Sequence, residues 1–165
     1  MPSNFEHAFA DRPDVYAAWR ELLLAIRANI DPRRYELATF AAAQRLHSTY
    51  CSIMHGNVLQ DDLGEDILAI ANNPESTLDP VDLAVMNLAE RVVDDATSIT
   101  DADLRRLRDL GLTDAEIMDV VLSASARCFF SKTLDGMRVL PDAKYNALDE
   151  GVREALVVGR PIADG

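Results

Sequence analysis

The chain has 165 residues, 48% of them hydrophobic and 27% charged, a size and composition typical of one globular domain, which we place at residues 1–165. Its 28 acidic and 16 basic side chains give a net charge of −12, which argues against nucleic acid or an anionic membrane as a partner. No stretch approaches the ~20 apolar residues of a membrane span. The first ten residues lack the apolar core of a signal peptide, so we expect a cytoplasmic protein.

Helical signals follow one another along the chain, and the alternation typical of strands is absent. Apolar residues recur at three- and four-residue spacing, and acid–proline pairs, capping boxes and glycines mark helix starts and ends. The predicted helices are, in chain order, Asp14–Ala28, Tyr35–Leu46, Ser48–Leu59, Asp62–Ala71, Val81–Val93, Leu104–Asp109, Ile117–Leu134 and Pro141–Val158, the last closed by Gly159. The sequence therefore predicts an all-α domain of roughly eight helices.

A cysteine and a histidine share one face of the predicted helix Ser48–Leu59. Ser48, Cys51 and His55 are separated by three and four residues, which places them together on a helix. Cys51 also falls in the first helical turn, where unpaired backbone N–H groups favour an anion. Both the histidine and the helix N-terminus favour the thiolate, the form that attacks peroxides and disulfides. Spacing and position together indicate a reactive thiol.

Glu36 is the third residue of this constellation. In one unbroken helix it would lie about 28 Å from His55, at roughly 1.5 Å per residue. A chain reversal near His47–Thr49 would instead bring the two within about one turn of each other. A carboxylate on an otherwise apolar helix is costly to bury unless it is paired. The sequence therefore predicts a relay Glu36–His55–Cys51, in which the acid orients the imidazole and stabilises its protonated form.

Each of these residues also has an ordinary structural explanation. A single cysteine is more often a small core residue than a nucleophile. Glu36 could be an acid favoured by the helix dipole, and His55 could be satisfied by a backbone carbonyl. Ser48 would serve as a helix N-cap in either case, and Tyr50 could line a pocket or simply pack. Spacing alone supports the two interpretations about equally.

The stretches Tyr35–Thr39 and Ser48–Gly56 resemble the core motif of the alkylhydroperoxidase D / carboxymuconolactone decarboxylase family. That motif is a glutamate, a Cys-x-x-Cys pair, and a histidine four residues after the second cysteine. The residues that match it are Glu36, Cys51 and His55. The similarity extends through Leu107–Asp142 and covers most of the chain after Asp14.

The resemblance implies an all-α fold that assembles into trimers or hexamers, and hydroperoxide reduction in members that carry both cysteines. In those members the second cysteine, Cys51 here, attacks the peroxide, and the first cysteine resolves it as a disulfide. This chain has Ser48 at the first position. A serine cannot form a disulfide, so peroxide would leave Cys51 as a sulfenic acid that an external thiol must reduce.

Few other residues suggest chemistry. The apolar surroundings of Cys128, beside Phe129 and Phe130, favour a buried structural thiol over a resolving one, and both phenylalanines suit the core or a subunit interface. We find no ligand cluster at metal-binding spacing, no phosphate loop and no dinucleotide fingerprint, so we expect neither a metal nor a cofactor.

Three functions remain open at this stage. The first is thiol-dependent reduction of small hydroperoxides through Cys51. The second is decarboxylation or isomerisation of a small lactone acid by Glu36 and His55. Its carboxylate substrate would need a basic clamp, and three arginines near the motif could supply one: Arg33, Arg34 and Arg45. The third is a non-catalytic oligomer that binds a protein or a small molecule.

We also expect a homo-oligomer of three or more chains. The predicted helices Tyr35–Leu46 and Ile117–Leu134 are apolar on almost every side, which is more apolar surface than a small monomer needs to bury.

Overall fold

The computed structural model describes residues 2–165, and within that range it contains ten α-helices and no strand. The predicted all-α class is therefore confirmed. The helices are α1 (Asn4–Ala8), α2 (Pro13–Arg27), α3 (Pro32–Arg45), α4 (Thr49–Asn57), α5 (Ile67–Asn72), α6 (Pro74–Thr77), α7 (Pro80–Asp95), α8 (Asp101–Asp109), α9 (Asp114–Gly136) and α10 (Glu150–Leu156).

Helix α3 is the centre of the domain. It packs against α4, α7 and α9, and every side chain from Tyr35 to Ala43 is buried. Its start follows the predicted acid–proline signal, because the Asp31 side chain accepts a hydrogen bond from the backbone N–H of Arg34 and Pro32 occupies the first helical position. The all-round apolar character of α3 is thus satisfied inside one chain. The apolar surface of α3 therefore gives no support to an oligomer, although the sequence analysis used it as an argument for one.

The chain reverses between α3 and α4 where the sequence predicted a break. Helix α3 ends at Arg45, His47 takes a left-handed conformation with φ of 53°, and α4 begins at Thr49. Ser48 occupies the N-cap position, but its side chain makes no capping hydrogen bond, so the predicted capping role is not fulfilled. A π-helical segment, Val58–Asp62, extends α4.

The starts of α8 and α9 follow their capping signals. The Thr100 and Thr113 hydroxyls accept from the backbone N–H groups of Asp103 and Glu116, whose carboxylates accept in return from the cap N–H groups. Gly111 ends the preceding segment in the left-handed region, with φ of 98°. These local signals set the start of the long helix α9, which crosses α3 at the candidate site.

Three parts of the helix prediction were wrong or incomplete. Helices α1 and α6 were not predicted. The predicted helix Asp62–Ala71 forms only over α5, because left-handed Gly64 interrupts the chain and Asp66 caps a new start. The predicted helix Pro141–Val158 divides into a 3-10 turn, Ala143–Ala147, and the short α10.

Gly159, predicted to close that last helix, has a different role. It lies against the α3–α4 reversal, where a β-carbon would come within 1.9 Å of the His47 carbonyl oxygen, and its N–H donates to Thr49 Oγ1 at 2.9 Å. The C-terminal segment is therefore docked onto the start of α4, and only glycine fits at this contact.

A second cluster of buried side chains, separate from the main core, surrounds the start of α4. Its buried members are Phe9, Trp19, Ala43, Tyr50, Cys51, Phe130 and Leu134. Helix α1 covers this cluster through Phe5, whose ring lies 5.7 Å from that of Tyr50 and 5.8 Å from that of Phe130. No helix within residues 2–165 is long and apolar enough to cross a membrane.

Candidate functional site

The structure brings Glu36 and His55 into direct contact in the interior. Glu36 lies on α3 and His55 on α4, and the α3–α4 reversal places His55 Nδ1 2.6 Å from Glu36 Oε2. Arg27 on α2 is a second partner of this carboxylate, with its Nη2 3.7 Å from Glu36 Oε1. The Tyr35 ring lies edge-on to the imidazole at 6.2 Å. The carboxylate thus fixes the orientation of the imidazole, as the sequence predicted.

The protonation state of His55 differs from the prediction. Burial, together with the nearby Arg127 charge, lowers the pKa of His55 to about 4, although the hydrogen bond to Glu36 opposes both effects. The lowered pKa favours neutral His55 at pH 7, in contrast to the stabilised imidazolium expected from the sequence. Because Nδ1 then donates to the Glu36 carboxylate, Nε2 is left as an acceptor. Nε2 is buried and makes no hydrogen bond within the described residues.

Cys51 lies in the first turn of α4, as predicted, and is 0% exposed. Among residues 2–165, no hydrogen bond joins its sulfur to His55. The group that contacts the sulfur is Arg127 on α9, whose Nη1 donates to Cys51 Sγ at 3.5 Å. The structure therefore assembles two parts of the predicted relay, Glu36 and His55, and places a different cation beside the third.

Sequence reasoning missed Arg127, although its position carried a signal. The residue is only 2% exposed, in a helix whose buried stripe is otherwise apolar or small. The stripe repeats at three- and four-residue spacing: Val120, Ala124, Arg127, Ser131 and Leu134. A cation in such a stripe must face the core, and a buried cation needs a partner. The pattern could have drawn attention to Arg127. It could not have predicted the contact with Cys51, which is 76 residues away along the chain.

The two residues predicted to support the site lie on either side of Cys51 in different surroundings. Ser48 is fully buried and its Oγ lacks a well-formed hydrogen bond. Burial raises the pKa of the nearby Asp135 carboxyl, and the Ser48 hydroxyl only partly opposes that rise. Tyr50 donates its hydroxyl to Asp142 and packs edge-on against Phe5. Burial and the Asp142 carboxylate both raise the pKa of Tyr50, so this hydroxyl stays neutral and anchors the aromatic cluster.

The remaining cysteine is less enclosed than predicted. Cys128 is partly exposed on α9, where burial raises the pKa of its thiol. Cys51 and Cys128 are both free thiols in this structure. Of the two phenylalanines that follow, Phe130 is 1% exposed and belongs to the core, whereas Phe129 is 45% exposed.

The three arginines considered as a carboxylate clamp are engaged elsewhere. Arg33 pairs with Glu65 and Asp82, and Arg34 pairs with Glu116 at 3.0 Å. Arg45 contacts Asp94 at 2.6 Å on the surface. The structure thus assigns these cations to ion pairs outside the Cys51 site, which removes the basis for that part of the lactone hypothesis.

Glu36, Cys51 and His55 are all buried, so the site is closed in this conformation. Two surface depressions, of about 480 Å³ between α7 and α8 and of about 460 Å³ beside Met54 and Tyr145, are not lined by Glu36, Cys51 or His55. Within residues 2–165, no three His, Cys, Asp or Glu side chains come together as a metal site would require. A substrate can reach the sulfur only if part of the surrounding cluster opens.

Comparison with known proteins identifies the fold. Neither a protein-family model nor a curated protein matches this chain. A solved structure described as the alkylhydroperoxidase D core of an uncharacterized peroxidase-related protein from Ralstonia eutropha JMP134 superposes with a TM-score of 0.78. It is 18% identical, over 97% of this chain and 84% of that one.

A second solved structure gives the same result. An uncharacterized peroxidase-related protein from Silicibacter sp. TM1040 superposes with a TM-score of 0.79 at 18% identity, over 89% of this chain and 80% of that one. The chain therefore has the alkylhydroperoxidase D-like fold, and the resemblance inferred from the Glu36, Cys51 and His55 motif is confirmed at the level of the fold.

Proposed function

We propose that the protein belongs to the alkylhydroperoxidase D-like family and reduces small hydroperoxides through Cys51, with an external thiol as the reductant. The observation that carries this proposal is the buried hydrogen bond between His55 Nδ1 and Glu36 Oε2. Removing a carboxylate and an imidazole from water costs free energy that apolar side chains would not cost. Such a pair, one helical turn from a cysteine, is typical of a site that moves protons.

The roles follow from the geometry. Glu36 holds the imidazole so that Nδ1 donates to the carboxylate. The free Nε2 of neutral His55 is the proton acceptor of the site. Cys51, in the first turn of α4, is the nucleophile, because the helix N-terminus favours a negative charge there.

The proposed reaction has two stages. The Cys51 thiolate attacks the outer oxygen of the hydroperoxide, so that an S–O bond forms while the O–O bond breaks. His55 Nε2 takes the hydroperoxide proton and passes it to the alkoxide, which leaves as the alcohol. The sulfur is oxidised to a sulfenate, which takes up a proton from water to give the sulfenic acid. One external thiol then displaces water to give a mixed disulfide. A second thiol releases Cys51 and leaves as the oxidised disulfide, which accounts for both electrons.

The test is a single-turnover reaction with hydrogen peroxide and with an organic hydroperoxide, in a Cys128→Ser background so that only Cys51 can respond. Peroxide should be consumed in a 1:1 ratio with protein, and Cys51 should be trapped as a sulfenic acid by a 1,3-dione. Cys51→Ser should abolish consumption, and His55→Gln should slow it by about 10²-fold, the scale of acid–base catalysis. An unoxidised Cys51 after peroxide treatment would refute the proposal and favour a non-catalytic binding protein.

One observation also favours the alternative function, acid–base chemistry on a small lactone acid. A neutral His55 with a free, buried Nε2 could abstract a proton from a small lactone acid without using the thiol. The same variants separate the two functions, because Cys51→Ser would then leave turnover of the lactone intact while His55→Gln would abolish it.

A further inference from the structure

Arg127 is a buried cation without a carboxylate partner. It is the only buried Lys or Arg among the described residues. No Asp or Glu of residues 2–165 lies within ion-pair distance of it. The buried acids are compensated: Glu36 contacts Arg27 and His55, and Asp82 contacts Arg33. An unpaired buried guanidinium would be strongly destabilising, so another group must balance its charge.

Among residues 2–165, three groups that could become anionic lie near this guanidinium: Cys51, Tyr35 and Cys128. Arg127 Nη1 lies 3.5 Å from Cys51 Sγ, and the Tyr35 hydroxyl is close enough to interact with the guanidinium. Burial raises the pKa of the Cys128 thiol, which therefore stays neutral at pH 7. Burial raises the pKa of Tyr35, so that hydroxyl stays neutral at pH 7. The Phe130 ring, 5.6 Å from the guanidinium carbon, supplies a cation–π contact but no net charge. Within the described part of the chain, the sulfur of Cys51 is then the one remaining atom that can carry the balancing charge.

We infer that Arg127 is the counter-ion that holds Cys51 as a thiolate in the folded protein, and that Arg127, not His55, activates this thiol. The use of that thiolate against peroxide depends on the function proposed above, but the ion pair does not. His55 contributes no positive charge at pH 7, because it is neutral. The first-turn position of Cys51 adds the partial positive charge of the α4 N-terminus to that of Arg127.

Other titratable groups surround Cys51 and Arg127, but they do not balance the charge of either residue. They come from five elements packed around the sulfur and the guanidinium. They are Arg27 on α2, Tyr35 and Glu36 on α3, His55 on α4, Cys128 on α9 and Tyr145 in the 3-10 turn. The two tyrosines, Cys128 and His55 are neutral at pH 7, and Arg27 lies within ion-pair distance of Glu36. The uncompensated charges that remain are those of Cys51 and Arg127.

One N–H group of the guanidinium is also available as a hydrogen-bond donor. Arg127 Nε is buried and makes no hydrogen bond within the described residues. When the O–O bond of a hydroperoxide breaks, negative charge develops on the leaving oxygen, and the oxygen transferred to sulfur also accepts hydrogen bonds. A fixed donor beside the sulfur stabilises that charge without having to reorient. Arg127 would thus act both on the nucleophile and on the oxygen that it attacks.

The first measurement needs no change at Arg127. In the Cys128→Ser protein, absorbance at 240 nm should show one thiolate per chain at pH 7. This signal should disappear in the Cys51→Ser, Cys128→Ser double variant and on unfolding in urea. A native protein without thiolate at pH 7 would overturn the inference, whether or not any variant of residue 127 folds.

The second measurement assigns the cation. In the same background, alkylation of Cys51 by iodoacetamide at pH 6.5 should fall about tenfold or more in Arg127→Met, which keeps the apolar stem but removes the charge. Arg127→Lys should keep at least half of the rate, and His55→Gln should change it less than twofold. An unchanged rate in Arg127→Met, or a tenfold fall in His55→Gln, would show that the predicted cation is wrong.

Peroxide consumption, measured in parallel, separates this inference from the proposed function. If the thiolate depends on Arg127 but no peroxide is consumed, the ion pair stands and the peroxidase proposal fails. If peroxide is consumed while the thiolate does not depend on Arg127, the peroxidase proposal stands and the ion pair is refuted.

Discussion

At the scale of single residues, the site consists of two pairs of buried ionisable groups, His55 with Glu36 and Arg127 with Cys51. Glu36 is shared between His55 and Arg27, and Arg127 faces Cys51. Neither pair is needed to fill space, because apolar side chains of similar volume would pack as well and avoid the loss of hydration. Under the proposed function, burying these groups serves the reaction at Cys51.

The lowered pKa of His55 predicts how stability depends on pH. In the unfolded chain the imidazole titrates near 6.5, whereas in the folded chain its pKa is about 4. Between these values the unfolded state binds the proton and the folded state does not. The free energy of unfolding should therefore fall as the pH drops from about 6.5 to about 4, by at most about 3 kcal/mol from this group. Below pH 4 the contribution should become constant.

Urea unfolding of the wild type and of His55→Gln at several pH values measures this contribution, because the glutamine amide can still donate to Glu36 but does not titrate. The stability difference between the two proteins should change between pH 6.5 and pH 4 and stay constant from pH 7 to pH 8. Parallel stability curves over the whole range would mean that His55 titrates normally and is not isolated from water.

The sequence could predict the local part of this site but not the long-range part. Helical spacing placed Cys51 and His55 on one face, and the unpaired carboxylate on α3 pointed to His55 as its partner. Arg127 meets Cys51 only because α9 crosses α3, a contact between residues 76 apart in the chain. The sequence also could not predict the protonation state of His55, because that state depends on how completely the folded chain excludes water.

At the scale of elements, helices with strong end signals were predicted and those held by tertiary contacts were not. The acid–proline start of α7 and the capping boxes of α8 and α9 are local, and they define these starts. Helices α1 and α6, of five and four residues, are too short to be stable alone. Helix α1 forms where Asn4 is tied to Asp142 by a backbone N–H···Oδ1 bond of 2.8 Å.

Helix α1 should control access to the thiol. Cys51 is 0% exposed, and Phe5 is the part of α1 that packs against Tyr50 and Phe130 over the same cluster. Phe5→Ala removes these ring contacts, so the local opening of α1 should cost about 1 kcal/mol less. Alkylation of Cys51 at a fixed pH should then be about fivefold faster. The reaction is followed in the Cys128→Ser background.

Leu63→Ala is the matched control, since it shortens a partly exposed apolar side chain in the loop before α5 and should leave the alkylation rate unchanged. A rate in Phe5→Ala equal to that of the parent would mean that reagents reach Cys51 by a route that does not involve α1.

At the scale of the whole molecule, one face of α9 exposes a row of apolar side chains to solvent. Helix α9 exposes Met118, Leu122 and Phe129, which together with exposed Ser125 form a stripe at spacings of four, three and four residues. Large apolar side chains aligned on one helix face mark a contact surface more often than scattered ones do. The stripe on α9 therefore still supports the predicted oligomer, whereas the buried surface of α3 does not.

We propose that chains associate through this stripe into a homo-oligomer of at least three subunits. Sedimentation at micromolar concentration should then give a mass of three or more chains of 18.2 kDa each. Burying Phe129 and Leu122 would contribute about 1.5–3 kcal/mol each. The double variant Leu122→Glu, Phe129→Glu should therefore dissociate to monomers while keeping its helical circular-dichroism spectrum, and Leu63→Glu, outside the stripe, should not. A wild-type protein that sediments as a single 18.2 kDa chain would contradict the proposal, and the stripe would then need another partner.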